Sequence, residues 1–325
     1  SLPPKARAPS PRSPSAPSPR TASWCAVLPS LTLGGESIKV KMASVEPEVH
    51  KVAPCVSCHA WNGDMTMLAI SPNNSDVHIL EYSPAEKSLK KIQILKEHDQ
   101  LVCALDWAPK SNLLLSCSHD RNAYVWKQGE DGVWQPSLVI LRLNRAALCG
   151  AWCPDERKFA VGSGAKSVCI CYYSPENDWW VSKQIKKKHT SSVTAVAWHP
   201  SNCLLATAST DGMCRVFNAV VQGVDDGLPA PPSAGASAFG DCLLQLDMQA
   251  GWCHAVAWSP SGGWLAFAAH ASKVFFAPVP EEAGAGEAGA WATPSVQEVA
   301  HEGVRGGLPF RAFTFLGDDT AVAGG

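Results

Sequence analysis

KEHDQLVCALDWAPKSNLLLSCSHDRNAYVW, residues 96–126, decides the fold. An apolar run ends on Trp107, the turn APKSN follows, a second run LLLSCS comes next, and the tight turn HDRN leads into AYVW. Apolar runs of five or six residues bounded by Pro, Asn, Asp and Ser clusters are too short for helices and read as strands. Four polar residues punctuate them at set distances: His98, Ser116 or Ser118, Asp120 and Trp126.

The same pattern recurs along the chain. CHAW, ALDWAP, CGAWCP, AVAWHP and AVAWSP place Trp61, Trp107, Trp152, Trp198 and Trp258 in one register, and AFTFLG puts Phe315 there; the separations are 46, 45, 46, 60 and 57 residues. After each anchor come a turn, a short apolar strand (LLLSCS, FAVGSG, LLATAS, WLAFAA), a tight turn and a second strand (NAYVW, SVCICYY, MCRVF, KVFFA). Several short strands per period of about 45 residues mark a β-propeller, one four-stranded sheet per blade. The expectation is an all-β propeller over residues 46–325 holding five blades and part of a sixth. The two longer spacings are expected to be insertions between blades, VDDGLPAPPSAGASAFG at 224–240 between four and five and EEAGAGEAGA at 281–290 between five and six. Residues 1–45 are Pro/Ser-rich without a periodic apolar face and are expected to be disordered. ASWCAVLPSLTL could pass for the apolar centre of a signal peptide, but Pro29, its polar interruptions and the cysteine usage downstream argue against it; Met42 reads as a natural start.

The register also settles PCVSCHAWN, residues 54–62, whose Cys-x-x-Cys-His spacing is shared by c-type haem attachment and by half of a zinc site. Three places before the anchor stand Cys58, Ala104, Cys149, Ala195, Ala255 and Ala312, all small. Cys58 thus fills a slot where small side chains pack against the next blade, His59 points the other way, and Cys55 lies outside the pattern. No metal or cofactor is expected. The polar set of residues 96–126 reads as a structural tetrad of the WD-repeat kind. The turn Asp accepts backbone N–H groups and orients the His; the His meets the Ser hydroxyl, which reaches the Trp indole. Leaving such buried groups unpaired costs about 1–3 kcal/mol each. Blade four offers His189, Thr207 or Ser209, and Asp211, with Phe217 replacing Trp.

Composition narrows the function. Charged residues are 17%, apolar ones 46%, and the net charge of −2 gives no field favouring nucleic acid or an anionic membrane. No run approaches the roughly 20 apolar residues of a membrane span. Thirteen cysteines, an odd number scattered in apolar runs, suit a reducing compartment. No phosphate loop, nucleophile elbow or His-x-x-x-His is present, so an enzyme is not expected. What remains is surface. ENDWWVSKQIKKKH, residues 176–189, sets Trp179 and Trp180 side by side, one to cover a blade edge and one exposed, followed by Lys183, Lys186, Lys187 and Lys188. Arg142 and Arg145 in LRLNRAA occupy the equivalent lead-in to blade three. These eight are candidates for docking acidic and aromatic partner segments.

EHDQLVCALDWAP, DRNAYVW, LVILRLNRAA, KFAVGSG and above all ENDWWVSKQIKK resemble the WD-repeat subunit, subunit 1, of the actin-related-protein two/three complex. The resemblance runs from about Val49 to the C-terminus and is loosest after Phe217. It implies a non-catalytic, seven-bladed scaffold in the cytoplasm at the actin-rich cell edge. Its partners would be the other subunits of the complex, the actin filament and the acidic tails of nucleation-promoting factors. This sequence departs from that family in its N-terminal extension and in stopping after two strands of blade six, so the ring is expected to be open. A general WD-repeat adaptor, such as a ubiquitin-ligase substrate receptor, is the alternative.

Overall fold

A computed structural model describes residues 25–27, 50–227, 237–271, 273–279, 291–300, 310–318 and 320–324. They form strands arranged as consecutive antiparallel sheets. Blade one comprises β2 (Cys58–Trp61), β3 (Met67–Ser71), β4 (Val77–Ser83) and β5 (Ser88–Leu95); β1 (Cys25–Val27) belongs elsewhere. Blade two holds β6 (Val102–Trp107), β7 (Leu114–Ser118), β8 (Ala123–Gln128) and β9 (Trp134–Val139). Blade three holds β10 (Ala147–Trp152), β11 (Lys158–Ser163), β12 (Val168–Ser174) and β13 (Trp179–Ile185). Blade four holds β14 (Val193–Trp198), β15 (Leu204–Ser209), β16 (Met213–Asn218) and β17 (Cys242–Asp247). Blade five holds β18 (Cys253–Trp258), β19 (Trp264–Ala269), β20 (Lys273–Pro278) and β21 (Gln297–Ala300), and β22 (Ala312–Gly317) pairs with β23 (Thr320–Gly324) in a sixth sheet. The first strands of successive blades are neighbours, so they form the inner wall of a propeller. The all-β, five-blades-and-part fold expected from the tryptophan register is the fold observed.

The core lies between blades, and the strand period explains how. In β11, Phe159 and Val161 enter the cluster shared with Leu115, Cys117 and Val125 of blade two. Ala160, between them, turns to the cluster shared with Leu205 and Phe217 of blade four. Both faces are therefore apolar, and the alternation seen in half-exposed strands gives way to continuous apolar runs. Fully burying one such side chain contributes about 1.5–3 kcal/mol. Two of the anchor tryptophans donate across these seams, Trp198 Nε1 to Ala151 O and Trp258 Nε1 to Ala197 O, both at 3.0 Å, whereas Trp107 Nε1 donates to Asn112 Oδ1 of its own blade at 2.8 Å.

Small polar side chains stitch the inner wall. Ser57 Oγ donates to Val102 O at 2.8 Å, Cys103 Sγ to Ala147 O at 2.8 Å, and Thr194 Oγ1 to Cys253 O at 2.6 Å, each the carbonyl of the next blade's inner strand. Cys58 faces the same seam, 3.6 Å from Val102 O, where burial pushes its thiol up to about 11. His59 and Cys55 are exposed. Among the described residues no group of three or more His, Cys, Asp or Glu gathers as metal ligands would.

At three residues the N-terminal stretch differs from the structureless expectation: β1 pairs antiparallel with β23, Ala26 opposite Ala323. An edge strand presents unpaired backbone groups that an extended apolar segment such as CAV can satisfy. Both insertions fall inside a blade and not between blades: 224–240 separates β16 from β17 and 281–290 separates β20 from β21, each the third and fourth strands of one sheet. The rest of residues 1–49, the 281–290 insertion and residues 228–236 of the other lie outside the described residues.

Candidate functional site

Blade two shows what the tight-turn face of a blade contains. Asp120 Oδ2 lies 2.7 Å from His98 Nδ1, His98 Nε2 lies 2.8 Å from Ser116 Oγ, and Trp126 Nε1 donates to that oxygen at 2.8 Å. Asp120 also accepts the backbone N–H groups of Asp99 and Asn122. Ser118, the alternative to Ser116, instead donates to Gln100 O at 2.9 Å. Blade four is built differently. Thr207 Oγ1 is 3.3 Å from His189 Nε2, but Arg215 Nη1 stands 2.9 Å from His189 Nδ1 and donates to Asp211 Oδ2 at 2.8 Å. The His189–Asp211 distance opens to 3.8 Å. Burial, with the Arg215 charge beside it, lowers the His189 pKa to about 4.

Blade three has lost the tetrad altogether. Counting from the serine that ends each middle strand (Ser118, Ser163, Ser209), the His place holds Leu143 and the Asp place holds Ala165. Lys166 follows in the tight turn at φ +61°, left-handed like its counterpart Arg121. That vacated corner is a concavity of about 430 Å³ lined by Arg142, Lys166, Lys186 and Lys187, with Asn144, Ser167, Gln184 and the His189 ring among its walls. Among the described residues no carboxylate lines it. Gln184 Nε2 donates to Leu141 O at 2.6 Å and Gly164 N to Ala146 O at 2.9 Å, fixing the outer strand and the tight turn to the lead-in segment. Arg142 and Lys187 also have left-handed backbones, φ +54° and +60°, each costing about 1–2 kcal/mol for an L-residue. Four cations in one concavity, in a chain of net charge −2, make a local field of one sign. The arrangement can bind anions; it contains no nucleophile–base pair.

Residues 89–127 and 180–218 match the family described as WD domain, G-beta repeat. Over 229 residues the chain is 53% identical to actin-related protein 2/3 complex subunit 1A of Arabidopsis thaliana, covering 70% of this chain and 60% of that protein. To subunit 1 of Schizosaccharomyces pombe it is 43% identical over 224 residues, 67% of this chain and 57% of the relative. To subunit 1 of Saccharomyces cerevisiae it is 34% identical over 276 residues, 84% and 66% respectively. The chain belongs to the family of actin-related protein 2/3 complex subunit 1. It spans about three fifths of the length of the first curated relatives it matches. Among solved structures, Sqt1 from Chaetomium thermophilum superimposes with a TM-score of 0.61 at 20% identity, covering 81% of this chain and 66% of that one, a likeness of fold alone.

Within this subunit 1 family member the eight surface candidates divide. Arg142, Lys186 and Lys187 meet in the pocket. Arg145 is exposed, its Cβ 3.5 Å from where a Cβ on Gly164 would stand. Lys188 is exposed outside the lining, and Lys183 Nζ sits 4.0 Å over the Phe239 ring. Trp180 packs against Trp152, Phe159 and Tyr173, while Trp179 is 61% exposed. These tryptophans begin β13 and the pocket lies at its other end, where Gln184 lines it, so most of the strand, roughly 17–20 Å, separates them. The sequence pattern did not single out the wall residues Asn144, Ser167 and Gln184, nor two charged residues, Lys166 in the pocket and Arg215 in the blade-four network. Lys166 had a usable signal, the Ala165–Lys166 pair in the turn slot that Asp120 and Asp211 fill. Arg215 had none, since it stands two residues from Phe217 in an apolar strand.

Proposed function

We propose that the chain acts as a non-catalytic scaffold subunit of an actin-related protein 2/3 complex, in the cytoplasm at actin-rich edges. In this reading it docks onto the other subunits and supports the nucleation of branched filaments through contacts with actin and with acidic activator tails. The identity to subunit 1 relatives, present in plant and yeast sequences alike, supports the assembly. The carboxylate-free pocket carries the tail reading. Leu138 and Ile140, 47% and 59% exposed, lie on the chain just before Arg142 and offer apolar contact beside it. Exposed Trp179, on the far side of blade three, suits a subunit contact.

The test is the tagged chain used to recover partners from a lysate, read by mass, alongside titration with a labelled acidic peptide. Actin-related proteins recovered with companion subunits in fixed proportion are the expected result. Reversing charge at Lys186, Lys187 and Lys188 should weaken the peptide by about tenfold or more while the far-ultraviolet circular dichroism stays unchanged, and wild-type affinity should fall as salt rises. Peptide binding that ignores both would remove the tail reading; a folded, soluble chain that recovers no companion subunit would remove the assembly.

A further inference from the structure

We propose that the pocket between blades three and four binds a compact molecule bearing two or more adjacent phosphate groups, an inositol polyphosphate or the same headgroup on a lipid. The inference rests on reading this pocket as an anion site, but not on the chain's place in a complex.

Charge density is the first argument. Arg142, Lys166, Lys186 and Lys187 converge on one concavity of about 430 Å³, within the size range of small-molecule sites. A phosphate monoester brings about −1.5 to −2 charges and three acceptor oxygens to one point. An extended acidic peptide advances roughly 3.3 Å per residue and sends alternate side chains to opposite faces, so it delivers about half its charge to a pocket this compact. The kinds of donor are the second argument. Arg142 offers a planar fork suited to paired phosphate oxygens, the three lysines supply point charges, and Asn144 and Ser167 add neutral donors in the wall.

The repeat points to the same ligand. In blades two and four the tight turn carries Asp120 and Asp211, which occupy this corner and hold His98 and Arg215. Blade three has Ala165 instead, so the corner is open and, among the described residues, no carboxylate lines it beside its cations. An anion from outside then takes the place that a turn carboxylate fills in the neighbouring blades.

The comparison with the neighbours also supplies the test variant. Ala165→Asp restores the residue that blades two and four tolerate, so it returns a carboxylate to the corner without a foreign shape. Calorimetric titration of the full chain with inositol trisphosphate should give one saturable site, weakened about tenfold or more by Ala165→Asp. Lys183→Glu, whose parent side chain lies over Phe239 outside the lining, should leave the affinity within about twofold. If Ala165→Asp does not fold, Lys166→Gln with Lys187→Gln carries the same expectation. Failure to saturate, equal affinity for inorganic sulfate, or equal loss with Lys183→Glu would overturn the proposal. Flotation with phosphatidylcholine vesicles, with and without phosphatidylinositol bisphosphate, separates the sources: recruitment by the bisphosphate assigns the lipid, and soluble binding without recruitment assigns the free molecule. An acidic peptide that binds where trisphosphate does not would defeat this inference and leave the tail reading standing; the reverse would defeat the tail reading alone.

Discussion

His98 and His189 occupy the same place in two blades, yet their neighbours demand opposite protons. His98 Nδ1 faces the Asp120 carboxylate and must donate, so a neutral ring accepts the Ser116 hydroxyl at Nε2 while Ser116 accepts Trp126 Nε1. His189 Nδ1 faces the Arg215 guanidinium, which can only donate, so its proton sits on Nε2 toward Thr207 Oγ1. Long-range proton–nitrogen correlation spectra should assign the Nδ1–H form to His98 and the Nε2–H form to His189. In Arg215→Ala the His189 tautomer should switch as Asp211, already 3.8 Å away, takes Nδ1; identical tautomers in the wild-type protein would refute this account. Ser116→Ala should cost about 2–4 kcal/mol by urea unfolding, because two buried partners, Trp126 Nε1 and His98 Nε2, lose their bond at once. Ser118→Ala, which loses the bond to Gln100 O and one to the Asp120 N–H, should cost about 1 kcal/mol.

Between elements, the least expected device is a buried ion pair. Lys158 in β11 is fully buried, pairs with Asp225, donates to Ala219 O at 2.9 Å and lies 5.0 Å over the Trp198 ring. It ties blade three to the segment between the third and fourth strands of blade four, and Asp225 in turn accepts Val221 N at 2.7 Å. Lys158→Ala should lower stability by about 3–5 kcal/mol, since the Asp225 charge stays buried without its partner. Lys158→Met with Asp225→Leu should recover most of that loss; a double variant as weak as the single would show that packing and not charge is at stake. This contact also marks where sequence reading ends. Elements were legible because Trp61, Trp107, Trp152 and Trp198 repeat every 45 or 46 residues and because strand alternation sends Phe159 and Ala160 to different seams. Tetrad residues were legible because they stand at fixed distances from those anchors. Lys158 and Asp225 are 67 residues apart in no repeating relation, and Arg215 reads as an exposed strand residue until Asp211 and His189 are seen around it. The pocket was half legible: Arg142 and Lys186 were named from charge, but their convergence depends on Ala165, a residue whose meaning lies in what it replaces.

For the molecule as a whole, the cores lie between blades, so a proton taken up at one seam is felt by the entire fold. Two groups act in the same pH window with opposite sign. His189 titrates at about 4 when folded against its usual 6.5, burial being the main cause. The unfolded chain therefore binds a proton that the folded chain refuses, and stability falls as pH drops from about 6.5 to 4. His199, its ring against Trp258, is shifted in the same direction. Asp106 behaves oppositely. Its carboxyl accepts Trp152 N at 2.6 Å across the seam between blades two and three, but burial raises its pKa from 3.8 to about 6. There the folded chain holds the proton first, so acidification from pH 6 to 4 stabilises. Each effect is of the order of 3 kcal/mol at most. Relative to wild type, Asp106→Asn should lose stability more steeply as pH falls from 6 to 4, because the stabilising uptake is gone while the Asn oxygen still accepts Trp152 N–H. His189→Gln should show a shallower loss over the same window. Urea midpoints measured at half-unit steps of pH test both at once, and two variants that run parallel to wild type would mean that neither group is held in the protonation state its surroundings impose.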